Sequence, residues 1–72
     1  MVLKEELKKI KSLNNNTVLQ VTCNDGEIIT GCFCGYTSAA NNEPEIAQLD
    51  IMTKDNNHLG LLENEIAAIA VA

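Results

Sequence analysis

The run from Glu27 to Tyr36 restricts the folds open to this chain. It follows Asp25-Gly26, a pair that favours the positive φ angles of a tight hairpin turn. β-Branched and aromatic residues make the run a strand of about ten residues, near the upper end of usual strand lengths. Gly31 and Gly35 weaken pairing within such a strand and are typical of a bend or bulge where a sheet curls. We therefore expect one long, bent strand around which the other elements are arranged.

The strand before this turn is predicted over residues 17–24. With Asp25 and Gly26 as the two turn residues, Asn24 should face Glu27. The resulting register places Cys23 opposite Ile28, Val21 opposite Thr30 and Leu19 opposite Cys32. One face is expected to bury Leu19, Val21 and Cys23, with Val18 joining them.

The N-terminal residues have helical spacing. Leu3, Leu7 and Ile10 fall at i, i+4 and i+7, which predicts a helix over 1–13 with Leu13 at the edge of its apolar face. Residues 14–16 are all Asn, which tolerates the backbone found after helix ends. The lysine-bearing side is either an electropositive surface for phosphate or an acidic partner, or a solvated outer face.

The remaining chain predicts three short strands. Leu49 and Ile51 should point inward from the first of them. The elements expected are a strand at 46–52, a turn at 54–57, a strand at 58–62, a tight connection at 63–65 and a last strand at 66–71. The expected fold class is therefore a single, mainly β domain over 1–72, with the helix followed by a small, strongly bent five-stranded antiparallel barrel over 17–72.

The last strand, Ile66 to Val71, is apolar on both faces. A long uncharged strand at a sheet edge tends to pair with another chain. A 72-residue chain buries only about 60% of the surface that it exposes when unfolded, so oligomerisation would add stability. We expect this strand to pair with another copy, making a homo-oligomer; the alternative is that it closes the barrel internally.

Charge is unevenly distributed. The net charge is −5, yet residues 1–16 hold four of the five lysines, and residues 17–72 hold one lysine against eight acids. The chain has no arginine, so a large RNA or DNA footprint is disfavoured and no DNA partner is expected. No apolar run of about 18 residues and no signal-peptide pattern occurs, so we expect a cytoplasmic protein with no membrane partner.

Catalytic and metal chemistry are not indicated by the sequence. Cys23, Cys32, Cys34 and His58 are residue types that bind zinc, but their spacing does not match known zinc motifs. The three cysteines are expected to be small core residues in a reducing compartment. No nucleophile and base pair, phosphate loop or nucleotide motif is present, so we predict no enzyme, no catalytic residue, no metal and no cofactor.

The chain resembles the Sm and Sm-like proteins over nearly its whole length. The first Sm motif has two glycines, an aromatic-Asp pair and an Asn, and it is matched at Gly26, Gly31, Tyr36 and Asn41, with Thr37 in place of the Asp. Residues 62–71 resemble the second motif, whose closing isoleucines match Ile66 and Ile69. The run from Tyr36 to Glu45 is similar to one in short Sm-like proteins of Firmicutes bacteria.

The resemblance implies an SH3-type barrel fold and a hexameric or heptameric ring in which the fourth strand of one subunit pairs with the fifth of the next. Its interface would include Leu59, Leu61, Ile66, Ile69 and Val71. RNA-binding members hold uridine with a stacking side chain, the motif Asn and an Arg-Gly pair. Here Asn41 is kept and Ala39 stands at the stacking position. The Arg-Gly pair would fall within residues 62–64, where the acidic Glu63 stands instead, so the uridine site is degenerate.

Two functions remain open from the sequence. The first is a ring that binds single-stranded RNA through a set of six residues: Lys4, Lys8, Lys11, Tyr36, Asn41 and Asn42. For the two Asn residues, the alternative is that they bond the backbone of their own loop. The second function is an oligomeric scaffold without RNA, whose acidic surface suits a basic protein partner.

Overall fold

The computed structural model describes all 72 residues and contains one helix and five strands. These are α1 (Leu3–Lys8), β1 (Val18–Cys23), β2 (Ile28–Thr37), β3 (Gln48–Met52), β4 (His58–Leu62) and β5 (Ile66–Val71), with short 3-10 helices at Ala39–Asn41 and Glu63–Glu65. All strand pairs are antiparallel, in the order β4-β3-β2-β1-β5. The mainly β class with a short N-terminal helix is confirmed. The helix is neither long nor apolar enough to cross a membrane.

The sheet is open. β4 pairs only with β3, and β5 pairs only with β1, so these two strands are the edges of the sheet. The closed barrel expected from the sequence is therefore not formed within one chain. The alternative in which the last strand closes the barrel internally is wrong.

The β1–β2 hairpin has a three-residue turn. The N–H of Cys23 donates to the carbonyl of Glu27 at 2.8 Å, and Gly26 alone in this turn has a positive φ, of 92°. The Asp25 carboxylate accepts the N–H of Glu27 at 2.9 Å. A two-residue type I′ turn needs two positive φ angles, whereas one is enough for the three-residue turn. The predicted register is therefore wrong by one residue.

The observed register decides which side chains enter the core. Leu19 lies opposite Gly31 and Val21 opposite Ile29, and both Leu19 and Val21 are fully buried. Val18 lies on the other face and is 38% exposed, because side chains alternate along a strand. The prediction that Val18 joins the core is thus wrong.

The cysteines are not core residues. Cys34 is exposed, and Cys23 and Cys32 are half-buried. Cys32 lies opposite Val18, on the face of the sheet away from the core. The expectation that all three pack in the core is therefore wrong.

The helix is shorter than predicted. The N–H groups of Lys9 and Ile10 donate three residues back, to Glu6 and Leu7, so the last turn tightens. Ser12 then has a φ of 55°, which reverses the chain towards β1. The predicted helix end at residue 13 is therefore wrong, since the helix ends at Lys8 and the chain reverses at Ser12.

The core lies between α1 and one face of the sheet. It contains Leu3, Leu7, Leu19, Val21, Ala47, Leu49, Ile51 and Ile66, and Ile10 and Leu13 pack against it. The predicted apolar face of the helix is confirmed, as are the inward positions of Leu49 and Ile51. β3 begins two residues later than predicted, since the N–H of Ile46 donates to the carbonyl of Pro44 at 2.7 Å.

Candidate nucleic-acid interface

A groove of about 230 Å³ lies between α1 and the middle of β2. Its lining residues are Lys4, Leu7, Lys8, Leu13, Phe33 and Tyr36. Three of the six predicted RNA-binding residues, Lys4, Lys8 and Tyr36, therefore meet at one place. We call this surface the helix groove.

A bulge in β2 brings the two aromatic residues of the chain together. Phe33 and Tyr36 are three positions apart, so a regular strand would place them on opposite faces. The β2–β3 register shifts between Phe33 and Gly35, and as a result Phe33 pairs with Ile51 and Tyr36 with Leu49. Since Ile51 and Leu49 both point into the core, both rings lie on the helix side of the sheet. The predicted bulge near the β2 glycines is thereby confirmed.

The helix places two ammonium groups at the rim of the groove. Lys4 and Lys8 are one helical turn apart on α1, and both are exposed. Leu7, between them, is anchored in the core and fixes the rotation of the helix. Lys9 pairs with Glu6 at 3.0 Å, whereas Lys4 and Lys8 form no ion pair with an acid of this chain. Their charges are thus available to a ligand.

The groove combines two kinds of contact that single-stranded nucleic acids use. Bases stack on aromatic side chains, and phosphates bind lysine. Phe33 and Tyr36 are only half-buried, so part of each ring is open to the groove. The two lysines and the two aromatic rings line the same groove.

The other predicted RNA-binding residues lie elsewhere. Lys11 follows the helix, is exposed and does not line the groove. Asn41 donates its side-chain amide to the Ser38 hydroxyl at 3.0 Å. Asn42 donates to the carbonyl of Ile46 at 2.9 Å and to the Gln48 side chain at 3.1 Å. Both Asn side chains therefore stabilise the β2–β3 loop through their own amide groups.

Three groove residues, Leu7, Leu13 and Phe33, were not among the predicted binding residues. In a regular strand, Phe33 would lie on the opposite face from Tyr36. The signal that could have found it is Gly35, which marks the bulge that moves both rings to one face. Leu13 was predicted as a helix-edge residue and instead packs against the core beside the groove after the helix has ended.

Acidic side chains gather at the tip of the β1–β2 hairpin. Burial raises the pKa of the Cys23 thiol, and the nearby Asp25, Glu27 and Glu65 carboxylates raise it further. The hairpin tip is tied to the β4–β5 connection, since Asn24 bonds the carbonyls of Asn64 and Glu65. This acidic tip has the opposite charge to the helix groove.

The predicted interface residues lie on or beside the two edge strands. Val71 is 57% exposed, and Leu59, Leu61 and Ile69 are half-buried. Ile66 is only 3% exposed and belongs to the core of its own chain. No three His, Cys, Asp or Glu side chains lie together as a metal site would require.

The fold and the helix groove define a small helix-capped antiparallel sheet with two free edges and one aromatic, cationic groove. Comparison with protein-family models, with curated proteins and with solved structures finds no match to this chain.

Proposed function

We propose that this protein is an Sm-like subunit of a homo-oligomeric ring that binds single-stranded RNA in the helix groove. The observation that carries the RNA-binding proposal is the meeting of Lys4, Lys8, Phe33 and Tyr36 around one groove. Stacking and phosphate contacts, rather than base-edge readout, would supply the affinity. The preference among bases is therefore expected to be weak.

The edges of the sheet support the assembly. Backbone hydrogen bonds alternate along a strand, and the N–H of Ala72 donates to the carbonyl of Val18 at 2.9 Å. The backbone groups of Ile69 and Val71 consequently point away from β1, towards the free edge. On the opposite edge, those of His58 and Gly60 point away from β3, because the N–H of Glu63 donates to Ala47. Pairing β4 of one subunit with β5 of the next would satisfy both edges, and such head-to-tail contacts close into rings.

The helix groove would take the place of the uridine site that is typical of the Sm family. Glu63, which stands in the segment where the Arg-Gly pair would fall, accepts the N–H of Leu3 at 2.7 Å and so holds the helix. The same helix carries the two lysines of the groove. The segment that binds RNA in other Sm members would here hold the helix whose lysines bind RNA.

The test is binding of fluorescein-labelled single-stranded RNA, followed by anisotropy at several salt concentrations. Tyr36→Leu should weaken binding by roughly tenfold, because it removes a stacking face while keeping an apolar side chain. The double variant Lys4→Ala and Lys8→Ala should weaken it and lower the salt slope by about 1 to 2. The matched control is Lys54→Ala, which removes a lysine outside the groove.

Unchanged affinity in both groove variants would contradict the proposed site. An intact oligomer that binds none of the RNAs would contradict the RNA-binding function and leave the assembly standing. A salt slope that falls as much in the Lys54 variant would show a diffuse charge effect instead of a site.

A further inference from the structure

A second groove lies at the opposite side of β2 from the helix groove. β2 has ten residues and β3 has five, and their pairing begins only where Cys32 meets Met52. The first four residues of β2, Ile28 to Gly31, therefore have a strand partner on the β1 side alone. A cavity of about 820 Å³ adjoins this segment. We call it the β2 edge groove.

The backbone of β2 presents donors and acceptors to this groove. Cys23 donates to Glu27, and Phe33 donates to Thr17, both at 2.8 Å, so the odd-numbered residues of β2 bond to β1. By the alternation of antiparallel ladders, the N–H and C=O groups of Ile28 and Thr30 point the other way. They face the place that a longer β3 would occupy.

The β3–β4 turn does not fill that place. Its backbone bonds are used within the turn: Thr53 N–H donates to Asn57, Asn56 N–H donates to Thr53, and Asn57 N–H donates to the Thr53 hydroxyl. Residues 53–56 instead form the far wall of the groove. The groove is thus bounded by a strand edge on one side and a closed turn on the other.

Apolar side chains surround the free edge. Ile28 is 57% exposed and Val18 is 38% exposed, and both line the groove with Cys32 and Met52. Val18, Cys32 and Met52 lie side by side across three strands, since Cys32 pairs with both of the others. An extended chain with apolar residues at every second position would pack on this row.

We propose that the β2 edge groove binds an extended basic segment of a partner protein by strand addition. An edge of four residues without a β3 partner takes a strand of about four residues, with main-chain bonds giving affinity and alternate side chains giving selectivity. Of the residues that line the groove, Lys54 and Asp55 carry opposite charges, and the excess of acid comes from Asp25 and Glu27 on the adjoining hairpin. A second copy would add its own acids to this acidic surface, whereas a segment bearing Lys or Arg between its apolar residues would neutralise it.

The experiment uses the full chain labelled with ¹⁵N and a blocked eight-residue peptide of alternating lysine and valine. Titration should shift the backbone amides of Ile28 and Thr30 and the residues of the 53–56 wall, leaving the helix groove unchanged. A peptide with glutamate in place of lysine should bind at least about tenfold more weakly. A peptide N-methylated at every second residue, which lacks the donors of one edge, should lose binding.

Thr30→Pro is the matching change in the protein, since it removes an N–H that the β1–β2 ladder does not use. It should abolish peptide binding while Thr30→Val preserves it. If Thr30→Pro fails to fold, the N-methylated peptide gives the same test on the ligand side.

Three results would overturn the proposal. The first is no saturable binding up to about 1 mM peptide. The second is equal binding of the N-methylated peptide. The third is shifts at Ile28 and Thr30 that follow protein concentration without peptide, which would assign the edge to a second copy.

Discussion

The backbone N–H of Leu3 donates a hydrogen bond to a carboxylate oxygen of Glu63 at 2.7 Å. Leu3 begins α1, and the first N–H groups of a helix have no partner within it. Glu63 lies in the connection between β4 and β5, sixty residues along the chain. This single contact joins the helix that carries Lys4 and Lys8 to the strands that form the two edges of the sheet.

Glu63→Ala should lower the free energy of unfolding by about 1 to 2 kcal/mol, because it leaves the Leu3 N–H without its charged acceptor. Glu63→Gln, which keeps an acceptor, should cost less. Urea denaturation measures both, with Glu45→Ala, at an exposed loop position, as the control. Equal stability of the Glu63→Ala and Glu45→Ala variants would show that the contact does not hold the helix.

Gly31→Ala should destabilise the protein far more than Gly35→Ala. A Cβ at Gly31 would lie 2.8 Å from the carbonyl oxygen of Met52, a backbone atom, whereas one at Gly35 would meet nothing within 4 Å. Overpacking of this kind costs about 1 to 3 kcal/mol, while alanine in an open strand position gains up to about 1 kcal/mol over glycine. Thermal unfolding compares the two variants. Equal melting temperatures would contradict the close approach of β2 to β3 at Gly31.

Cys23 should react with iodoacetamide more slowly than Cys34 at mildly alkaline pH. Burial and the acidic tip raise the pKa of Cys23, so less of its thiol is ionised, while Cys34 is exposed. Peptide mass spectrometry after timed alkylation ranks the sites. Asp25→Asn should speed the reaction of Cys23, because it removes one carboxylate. Faster labelling of Cys23 than of Cys34 in the unsubstituted protein would contradict the raised pKa of Cys23.

The raised pKa of Cys23 also determines how the stability of the protein changes with pH. A raised thiol pKa favours the protonated form in the folded state, so its contribution is present below the unfolded pKa and is lost as pH rises through the folded pKa. Cys23→Ser should therefore flatten the fall of stability on the alkaline side. Cys34→Ser is the control, and an identical alkaline profile for all three proteins would contradict the burial of the thiol among carboxylates.

Val71→Pro should convert the proposed oligomer to monomers. Val71 is 57% exposed and its backbone points to the free edge of β5, where proline removes a donor without disturbing the β1 ladder. Val71→Thr keeps the N–H and should remain assembled. Sedimentation velocity separates the states, with circular dichroism as the check on folding; an assembled Val71→Pro variant would exclude β5 edge pairing.

Periodicity was enough to predict the parts of the fold that follow apolar spacing. Leu3 and Leu7 on the helix, Leu49 and Ile51 on β3, and the bounds of β4 and β5 all follow from which positions must be buried together. Each of these features depends on one local pattern of side chains and on no distant part of the chain.

Features that depend on backbone geometry were not predictable in this way. Asp25-Gly26 is compatible with a two-residue or a three-residue turn, and the choice moves every β1–β2 pair by one position. The helix ends at Lys8 although the apolar spacing continues to Ile10, so this spacing did not predict the end of the helix. The groove formed by Phe33 and Tyr36 requires a bulge whose side-chain consequence appears only in the β2–β3 register, which pairs Phe33 with Ile51 and Tyr36 with Leu49.

Native mass spectrometry of the purified protein, with and without short single-stranded RNA, tests the central proposal most directly. We predict a hexamer or heptamer that gains the mass of RNA, and loss of that gain in the Tyr36→Leu variant. A species with the mass of a single chain at all concentrations, or a ring that stays free of every RNA, would contradict it.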